Sequence, residues 1–249
     1  MPLILRSVKI ILIVFTLVFL LPLGLHALTW QREDWSRPWR GADWSSAGLL
    51  PAATDHPGAM VRIYSARVGR WRGIFATHSW IVVKDAGPSG YERYDKVGWG
   101  APIRRNGYPP DGRWYGNEPE LVFAADGAEA EKLIPRIREA VRAYAFARPG
   151  DYHVWPGPNS NSFIASVLAA IPETGATLPP TAIGKDFPVD GRWIGPAPSR
   201  TGLRLTLGGY AGLTLAWVEG IEVNILGAVA GLDLRHPALK VPGFGRLGL

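Results

Sequence analysis

Residues 152–171 read YHVWPGPNSNSFIASVLAAI and contain the sharpest change of local pattern in the chain. Residues 156–158 (PGP) indicate a turn, because Pro fixes φ and Gly permits positive φ. The Asn and Ser residues that follow are preferred helix N-caps, and the residues after them are apolar. The stretch therefore predicts a turn that leads into an apolar helix with polar side chains at its N-terminus.

Three segments upstream of this helix carry strand patterns. Residues 60–68 alternate apolar and polar side chains, and residues 74–84 are rich in β-branched and aromatic types. Residues 91–99 follow as a third strand, and residues 100–119 form a long loop rich in Gly, Pro and Arg. Loops of this length often carry function. The pattern predicts an antiparallel sheet followed by helices.

A second helix is predicted over residues 128–147, where apolar side chains fall on one face. Pro135 lies inside it and predicts a kink or a late start. From Leu203 onward, alternating leucines punctuated by Gly indicate further strands. A membrane span over residues 207–231 is the alternative, although Glu219 and Glu222 would each cost a few kcal/mol inside a bilayer.

The N-terminal segment is apolar from Ile10 to Leu28 and is preceded by Arg6 and Lys9. This is the pattern of a secretory signal or a membrane anchor. Ala27 is a poor cleavage exit with Leu at position 25, so we favour an uncleaved anchor. The length of the chain beyond this segment favours an extracytoplasmic globular domain. Four tryptophans come next, and they suit either a membrane interface or packing onto the domain: Trp30, Trp35, Trp39 and Trp44.

The domain prediction is a signal or anchor over residues 1–28, a linker over 29–57 and a single globular domain over 58–249. The fold class is α+β, an N-terminal transmembrane or signal-anchor helix followed by an antiparallel-sheet domain with packed helices. The 249-residue chain carries a formal net charge of +6, with its basic residues scattered. We therefore expect a basic domain beside an anionic membrane and no nucleic-acid partner. The absence of cysteine excludes disulfides and thiolate chemistry.

Two places in the sequence can carry chemistry. His78 lies on a predicted strand, and Ser160 lies in the Asn-Ser-Asn-Ser run at a helix N-terminus. Free backbone N–H groups there can hold an oxyanion, and a histidine on a neighbouring strand can serve as base. Ser and Asn before a helix are also ordinary caps, and a lone strand histidine is often structural. No metal-ligand spacing is present, and no metal or cofactor is expected.

The chain resembles a bacterial family catalogued as domain of unknown function 3750. The likeness rests on residues 155–163 (WPGPNSNSF), residues 78–80 (HSW) and residues 222–227 (EVNILG), and it extends from about residue 58 to the C-terminus.

A more distant resemblance is to circularly permuted papain-like hydrolases, which include PPPDE deubiquitinating peptidases, lecithin:retinol acyltransferases and bacterial cell-wall peptidases. These place a histidine at the start of a strand and Asn-Cys-Asn-x-Phe at the start of a later helix. Here His78 matches the histidine, and Ser160 stands at the cysteine position. The resemblance implies a third, orienting group on the next strand. Glu92, Tyr94 and Asp95 are candidates, with Tyr94 and Asp95 preferred.

The sequence supports three functional hypotheses. The first is a membrane-anchored Ser–His hydrolase or acyltransferase acting on amide or ester bonds in the cell envelope. The second is an inactive module whose cleft binds an envelope peptide or lipid, which the serine in place of cysteine favours. The third is a structural envelope protein. For the first two, predicted ligand contacts come from residues around the cleft: Asn159, Asn161, Ser162, Trp80, Trp99 and Trp155.

Overall fold

The fold is described from a computed structural model, which describes residues 2–30 and 41–248. It is α+β, with an N-terminal apolar helix followed by two antiparallel sheets and two further helices, as the sequence predicts. Trp35, Trp39 and residues 31–40 of the predicted linker lie outside the described residues. The residues from 41 to 248 are called the globular region below, and its extent as one domain stays a prediction.

The N-terminal helix runs as α1 (Pro2–Phe15), one π-helical turn (Thr16–Leu20) and α2 (Leu21–Thr29). The stretch Ile4–Thr29 has 26 residues and is long and apolar enough to cross a membrane. At a rise of about 1.5 Å per residue it measures about 39 Å, more than the hydrocarbon core of about 30 Å. A signal sequence has the same features.

The end of α2 is held against the globular region. His26 Nδ1 hydrogen-bonds the carbonyl of Ile74, and Trp30 Nε1 donates to the carbonyl of Arg70 at 3.0 Å. Both acceptors lie on a 3₁₀ turn, Arg70–Ile74. Gly73 has to be glycine here, because a Cβ would approach the Trp30 ring to 2.2 Å. The apolar helix is thus joined to the rest of the chain by specific contacts.

The first sheet has five antiparallel strands in the order β4-β3-β2-β1-β5. β1 and β2 pair along their whole length, from Met60 opposite Lys84 to Arg67 opposite Thr77. The sheet begins close to the predicted strand positions, although residues 74–76 belong to a turn rather than to β2. Its strands are β1 (Met60–Arg67), β2 (Thr77–Lys84), β3 (Glu92–Lys96), β4 (Ile103–Arg105) and β5 (Glu120–Asp126).

Two helices pack on one face of this sheet. α3 (Gly127–Arg142) begins at Gly127 with Pro135 in its interior, so the expected late start does not occur, and α4 (Ser160–Ala170) follows the PGP turn. Ile63 and Ile81 of the sheet face Ile137 of α3 in a fully enclosed core. The opposite face of the sheet packs a smaller, aromatic cluster, with these buried members: Tyr64, Ala66, Trp80, Val82, Val97 and Trp114.

The C-terminal part forms a second, seven-stranded antiparallel sheet in the order β12 to β6. It excludes the alternative membrane helix over residues 207–231, because that stretch consists of strands and turns. Its strands are β6 (Ile194–Pro196), β7 (Gly202–Leu207), β8 (Ala211–Ala216), β9 (Gly220–Ile225), β10 (Ala228–Asp233), β11 (Ala238–Val241) and β12 (Gly245–Gly248).

The polarity of the second sheet is inverted relative to most soluble sheets. Its buried side chains include Thr206, Glu222 and Asn224, whereas the leucines between them are exposed. Glu222 forms ion pairs with Lys185 and Lys240. Burial alone would raise the pKa of Glu222, but the two lysine charges outweigh burial and lower that pKa. The sheet is therefore joined to the rest of the globular region by satisfied polar groups, such as the ion pair of Glu222 with Lys185, and its apolar side faces outward.

Candidate functional site

A capping box fixes the N-terminus of α4. The side-chain oxygen of Asn159 accepts from the N–H groups of Asn161 at 2.9 Å and Ser162 at 3.1 Å, and Ser162 Oγ accepts from the Asn159 N–H at 2.8 Å. Reciprocal bonds of this kind satisfy N–H groups that a helix start otherwise leaves unpaired. They place Ser160 at the first helical position.

Asn161 docks this helix start onto β2. Its Nδ2 donates to the Thr77 carbonyl at 2.9 Å, and its Oδ1 accepts from Ser79 Oγ at 2.9 Å. Thr77 and Ser79 are the residues on either side of His78. Because side chains alternate along a strand, Ser79 faces α4 while His78 faces the aromatic cluster. These bonds fix the position of the N-terminus of α4 relative to β2, the strand that carries His78.

His78 is paired with Asp95 of β3. His78 Nε2 lies 2.9 Å from Asp95 Oδ1, and both side chains are buried. Arg93 binds the same carboxylate with two hydrogen bonds, Nε to Oδ2 at 2.7 Å and a terminal nitrogen to Oδ1 at 2.8 Å. The guanidinium of Arg93 lies 4.0 Å above the Trp80 ring. A buried carboxylate is thus compensated by a bidentate arginine as well as by the histidine.

Trp114 locks the histidine ring from one side. The two rings stack with centroids 3.6 Å apart and planes 3° from parallel. Trp114 lies between β4 and β5, within residues 100–119, which the sequence predicts as a long functional loop, although residues 103–105 of that range form β4. The stack and the Asp95 hydrogen bond leave His78 little freedom to rotate, so its Nδ1 atom has a defined direction.

The electrostatics favour a neutral His78 beside an ionised Asp95. Burial lowers the pKa of His78, and the hydrogen bond and charge of Asp95 offset this only in part. Burial would raise the pKa of Asp95, but the Arg93 charge and the hydrogen bonds from His78 and Arg93 outweigh it and lower that pKa. An ionised carboxylate only accepts, so Nε2 carries the proton and Nδ1 keeps a lone pair.

Ser160 is buried beside Tyr152. Burial raises the pKa of Tyr152 to about 12, and its interaction with the Ser160 hydroxyl acts in the opposite direction. Ser160 and His78 are both among the described residues, and no hydrogen bond joins their side chains. Within the described part of the chain the Ser160 backbone N–H also has no acceptor, which leaves one helix-start donor available to a ligand.

Thr77 supplies an unpaired hydroxyl at the same place. Its Oγ1 is buried and has no hydrogen-bond partner among the described residues. An unsatisfied buried polar atom costs free energy, and in native proteins it often marks a ligand site. Thr77 lines the same cavity as His78 and Ser160, which makes this hydroxyl a candidate contact for a substrate.

These groups open onto one cavity of about 1110 Å³. Thr77, His78 and Ser160 form part of its wall, together with Tyr152 and Trp114. A volume of this size slightly exceeds the usual range for small-molecule sites, about 300–1,000 Å³. The serine and the histidine therefore face a common space that a ligand can enter.

The other predicted site residues fall into two groups. Asp95 reaches His78, whereas Tyr94 points to the opposite face of the sheet and hydrogen-bonds Glu92. Trp99 and Trp155 line the cavity, whereas Trp80 is fully enclosed and donates to the Pro110 carbonyl. The side chains of Asn159, Asn161 and Ser162 are engaged in hydrogen bonds within the protein, and their contact with substrate stays a prediction.

Four residues of the site were not found from the sequence: Thr77, Arg93, Trp114 and Tyr152. Trp114 reaches His78 from a distant part of the chain, which spacing does not reveal. Thr77 is adjacent to His78, and Tyr152 opens the stretch that decides the fold. The only signals in the sequence were these positions and the unusual length of the loop that holds Trp114.

By fold and site geometry, the chain is an α+β protein in which a capped helix start and a buried histidine line one cavity, and a buried carboxylate hydrogen-bonds the histidine. Residues 58–187, just over half of the chain, match a family model described as a protein of unknown function, DUF3750. The chain belongs to this family. The match ends before the second sheet, so the resemblance expected as far as the C-terminus is shown only to residue 187. No curated protein and no solved structure matches the chain.

Proposed function

We propose that this protein is a membrane-anchored hydrolase or acyltransferase of permuted papain-like fold, in which Ser160 is the nucleophile and His78 its base. The observation that supports it best is the His78–Asp95 pair, held at 2.9 Å beside the helix start that carries Ser160. A base that is fixed by an orienting carboxylate and placed near a helix-terminal hydroxyl is the arrangement of serine acyl-transfer sites.

In the proposed reaction, Ser160 Oγ attacks the carbonyl carbon of an ester or amide while its proton passes to His78 Nδ1. The carbonyl oxygen takes up negative charge, and the free N–H of Ser160 is positioned to donate to it. His78 then gives the proton to the departing alcohol or amine as the carbon–heteroatom bond breaks. Water or an acceptor alcohol then attacks the acyl carbon and gives its proton to His78, and Ser160 Oγ departs and takes that proton back from His78.

Two aspects of the environment support this assignment. A lowered pKa keeps His78 neutral and able to accept a proton at neutral pH. The raised pKa of Tyr152, about 12, keeps its hydroxyl protonated beside Ser160. Proton transfer requires Ser160 Oγ to turn from Tyr152 toward His78 when substrate enters, since no hydrogen bond joins the two side chains in the described structure.

The membrane location is part of the proposal. The 26-residue apolar helix and the hydrogen bond between His26 and the Ile74 carbonyl favour an uncleaved anchor over a removed signal, because cleavage after Ala27 would discard that contact. The length of the chain that follows the apolar helix favours an extracytoplasmic position for it, because long domains are translocated largely regardless of flanking charges.

The experiment is reaction with a fluorophosphonate probe, in which phosphorus bonds to an activated serine oxygen and fluoride leaves. The full-length chain in phospholipid vesicles should be labelled, and Ser160→Ala should abolish the labelling. His78→Asn should slow it by about 10²–10⁴-fold, the usual contribution of a positioned base. Ser166→Ala is the matched control, because the Ser166 hydroxyl only donates to the Phe163 carbonyl in the same helix. An equal rate in the Ser160→Ala variant would refute the proposed nucleophile.

A non-catalytic binding module is the second candidate. It is favoured by the pairing of Ser160 with Tyr152 rather than with His78, and by a hydroxyl where papain-like enzymes carry a thiol. This candidate predicts ligand binding in the cavity without any Ser160-dependent labelling. The open cavity disfavours the third hypothesis, a structural envelope protein without a ligand site.

A further inference from the structure

The cavity beside Ser160 extends away from the reactive groups to the N-terminal helix. Its wall at that end is formed by Phe15, Phe19, Leu20 and Leu23, which belong to the apolar stretch Ile4–Thr29. Residues 225–229 of the β9–β10 hairpin also line the cavity. One end of the cavity is therefore polar and reactive, and the other is apolar and walled by the anchor.

The depth of this apolar end can be gauged from the helix rise. Phe15 lies 14 residues before Thr29, which corresponds to about 20 Å along the helix axis. If the helix crosses the bilayer as proposed, Phe15 and Phe19 lie well inside a hydrocarbon core about 30 Å thick. The cavity then connects the interior of the membrane with Ser160.

We propose that the cavity binds the long acyl chain of a membrane lipid, with the carbonyl at its head held beside Ser160. The proposal rests on the hydrolase function and specifies its substrate class. An apolar chain entering from the bilayer exchanges one hydrocarbon environment for another, so its transfer costs little, whereas a polar peptide would lose its hydration along this wall. Trp155 and Val154, exposed residues of the wall, extend the apolar lining.

The test uses the full-length chain in phosphatidylcholine vesicles and two fluorophosphonates, one with a two-carbon and one with a sixteen-carbon alkyl chain. The long probe should label Ser160 at least about tenfold faster. Val154→Glu places a charge on the cavity wall and should reduce this ratio, whereas Leu121→Glu, an exposed apolar residue outside the cavity, should leave it unchanged.

Failure of this inference is distinguishable from failure of the hydrolase. Equal Ser160-dependent labelling by both probes would overturn the acyl-chain site and leave the hydrolase standing. A fluorescent undecanoic acid added to Ser160→Ala provides a readout that needs no catalysis. Saturable binding that is displaced by palmitate and weakened by Val154→Glu supports the site even if no labelling occurs, and its absence overturns the site.

A second inference comes independently from the second sheet, whose polar side chains are buried and whose leucines face outward. Its outward side, the leucine face, carries a ladder of paired residues across six strands, each between 36% and 65% exposed. The ladder consists of Leu203, Leu215, Ile221, Leu232, Leu239 and Leu247. A second row on the same side includes Leu205, Leu213 and Val223. Exposed apolar areas of this extent mark interaction sites.

We infer that the leucine face is immersed in the outer part of the same bilayer. β10 contacts the Thr16–Leu20 turn of the anchor. Because this turn lies within the hydrocarbon core when the anchor crosses the bilayer, the sheet reaches the depth of the lipid chains. Strands of four to six residues are too short to span a bilayer, which takes about 9–11 tilted residues. The sheet therefore lies in one leaflet, where strand pairing satisfies its interior backbone groups.

The cysteine-free chain permits a direct test. A nitroxide on Leu215→Cys in reconstituted vesicles should be relaxed by oxygen, which concentrates in lipid, far more than by a water-soluble nickel chelate. Lys132→Cys, on the exposed side of α3, is the control and should show the opposite preference. A nickel preference at residue 215, or spin–spin broadening that reveals a second copy against the face, would overturn the inference.

Discussion

His78 Nε2 lies 2.9 Å from Asp95 Oδ1, and the carboxylate is simultaneously held by Arg93. The carboxylate charge is therefore shared between a histidine and a permanent cation. Asp95 orients the ring and fixes its tautomer, while Arg93 opposes protonation of that ring because its charge lowers the pKa of His78. The arrangement favours a neutral base over a stable imidazolium.

Asp95→Asn tests this division of roles. The hydrogen bond and charge of Asp95 both raise the pKa of His78, so their loss should lower that pKa further. Labelling activity requires neutral His78, so the acid limb of its pH profile should move to lower pH while the maximal rate falls by about 10²–10⁴-fold. Removal of the carboxylate also leaves Arg93 buried and uncompensated, which should cost about 3–5 kcal/mol of stability. A slower rate with an unmoved acid limb would contradict the effect of Asp95 on the pKa of His78, and an unchanged rate would contradict its orienting role.

Acidification should destabilise the folded chain through His78. Its pKa is lowered from 6.5 on folding, so below pH 6.5 the unfolded state binds more protons than the folded state. The free energy of unfolding then falls as pH decreases from 6.5 toward the folded pKa. Denaturant melts of the wild type and His78→Asn at several pH values would measure the difference. The His78-dependent loss should be absent between pH 7 and 8, and a loss there would contradict the sign of the shift.

Thr77→Val should separate function from stability. The substitution removes a buried hydroxyl that has no protein partner, so stability should stay within about 1 kcal/mol of the wild type or rise. The labelling rate should drop if the hydroxyl contacts substrate. Thr206→Val is the matched control, because its hydroxyl is buried and bonded to the Asp186 carbonyl and the Gly209 N–H. That control should lose about 1–3 kcal/mol. An unchanged rate in Thr77→Val would remove Thr77 from the site.

Glu222→Gln should weaken the attachment of the second sheet to the rest of the globular region. The change leaves Lys185 and Lys240 buried without their shared carboxylate, which should destabilise the protein by about 3–5 kcal/mol. Glu118→Gln removes a comparable charge from an exposed pair with Arg113 and should cost less than about 1 kcal/mol. Similar melting temperatures for the two variants would show that the buried network does not hold the sheet.

The sequence predicts the local parts of this architecture well. The β1 and β2 patterns and the cap at Asn159 depend on neighbouring residues, so periodicity and N-cap preference find them. The choice between Tyr94 and Asp95 could not be made, because a one-residue error in strand register exchanges the two faces. In the structure Asp95 hydrogen-bonds His78, whereas Tyr94 hydrogen-bonds Glu92 on the other face of the sheet.

Contacts between distant segments were beyond sequence reasoning. The alternation from Leu203 onward indicates strands but not which side is buried, and the outcome depends on polar partners such as Lys185 and Asp186, which bind Glu222 and Asn224. The approach of Phe19 to the same cavity as Ser160 joins positions 141 residues apart. Neither the buried side of this sheet nor the shared cavity of Phe19 and Ser160 corresponds to a periodic pattern in the sequence.

The most direct test of the central claim is the site of fluorophosphonate attachment in the full-length, vesicle-bound chain, measured by peptide mass spectrometry. The account predicts a single adduct on Ser160, within the peptide that covers residues 152–171. It also predicts that the adduct fails to form in His78→Asn over the same reaction time. An adduct on Ser79 or Ser162, or no adduct on a folded chain, would contradict the account.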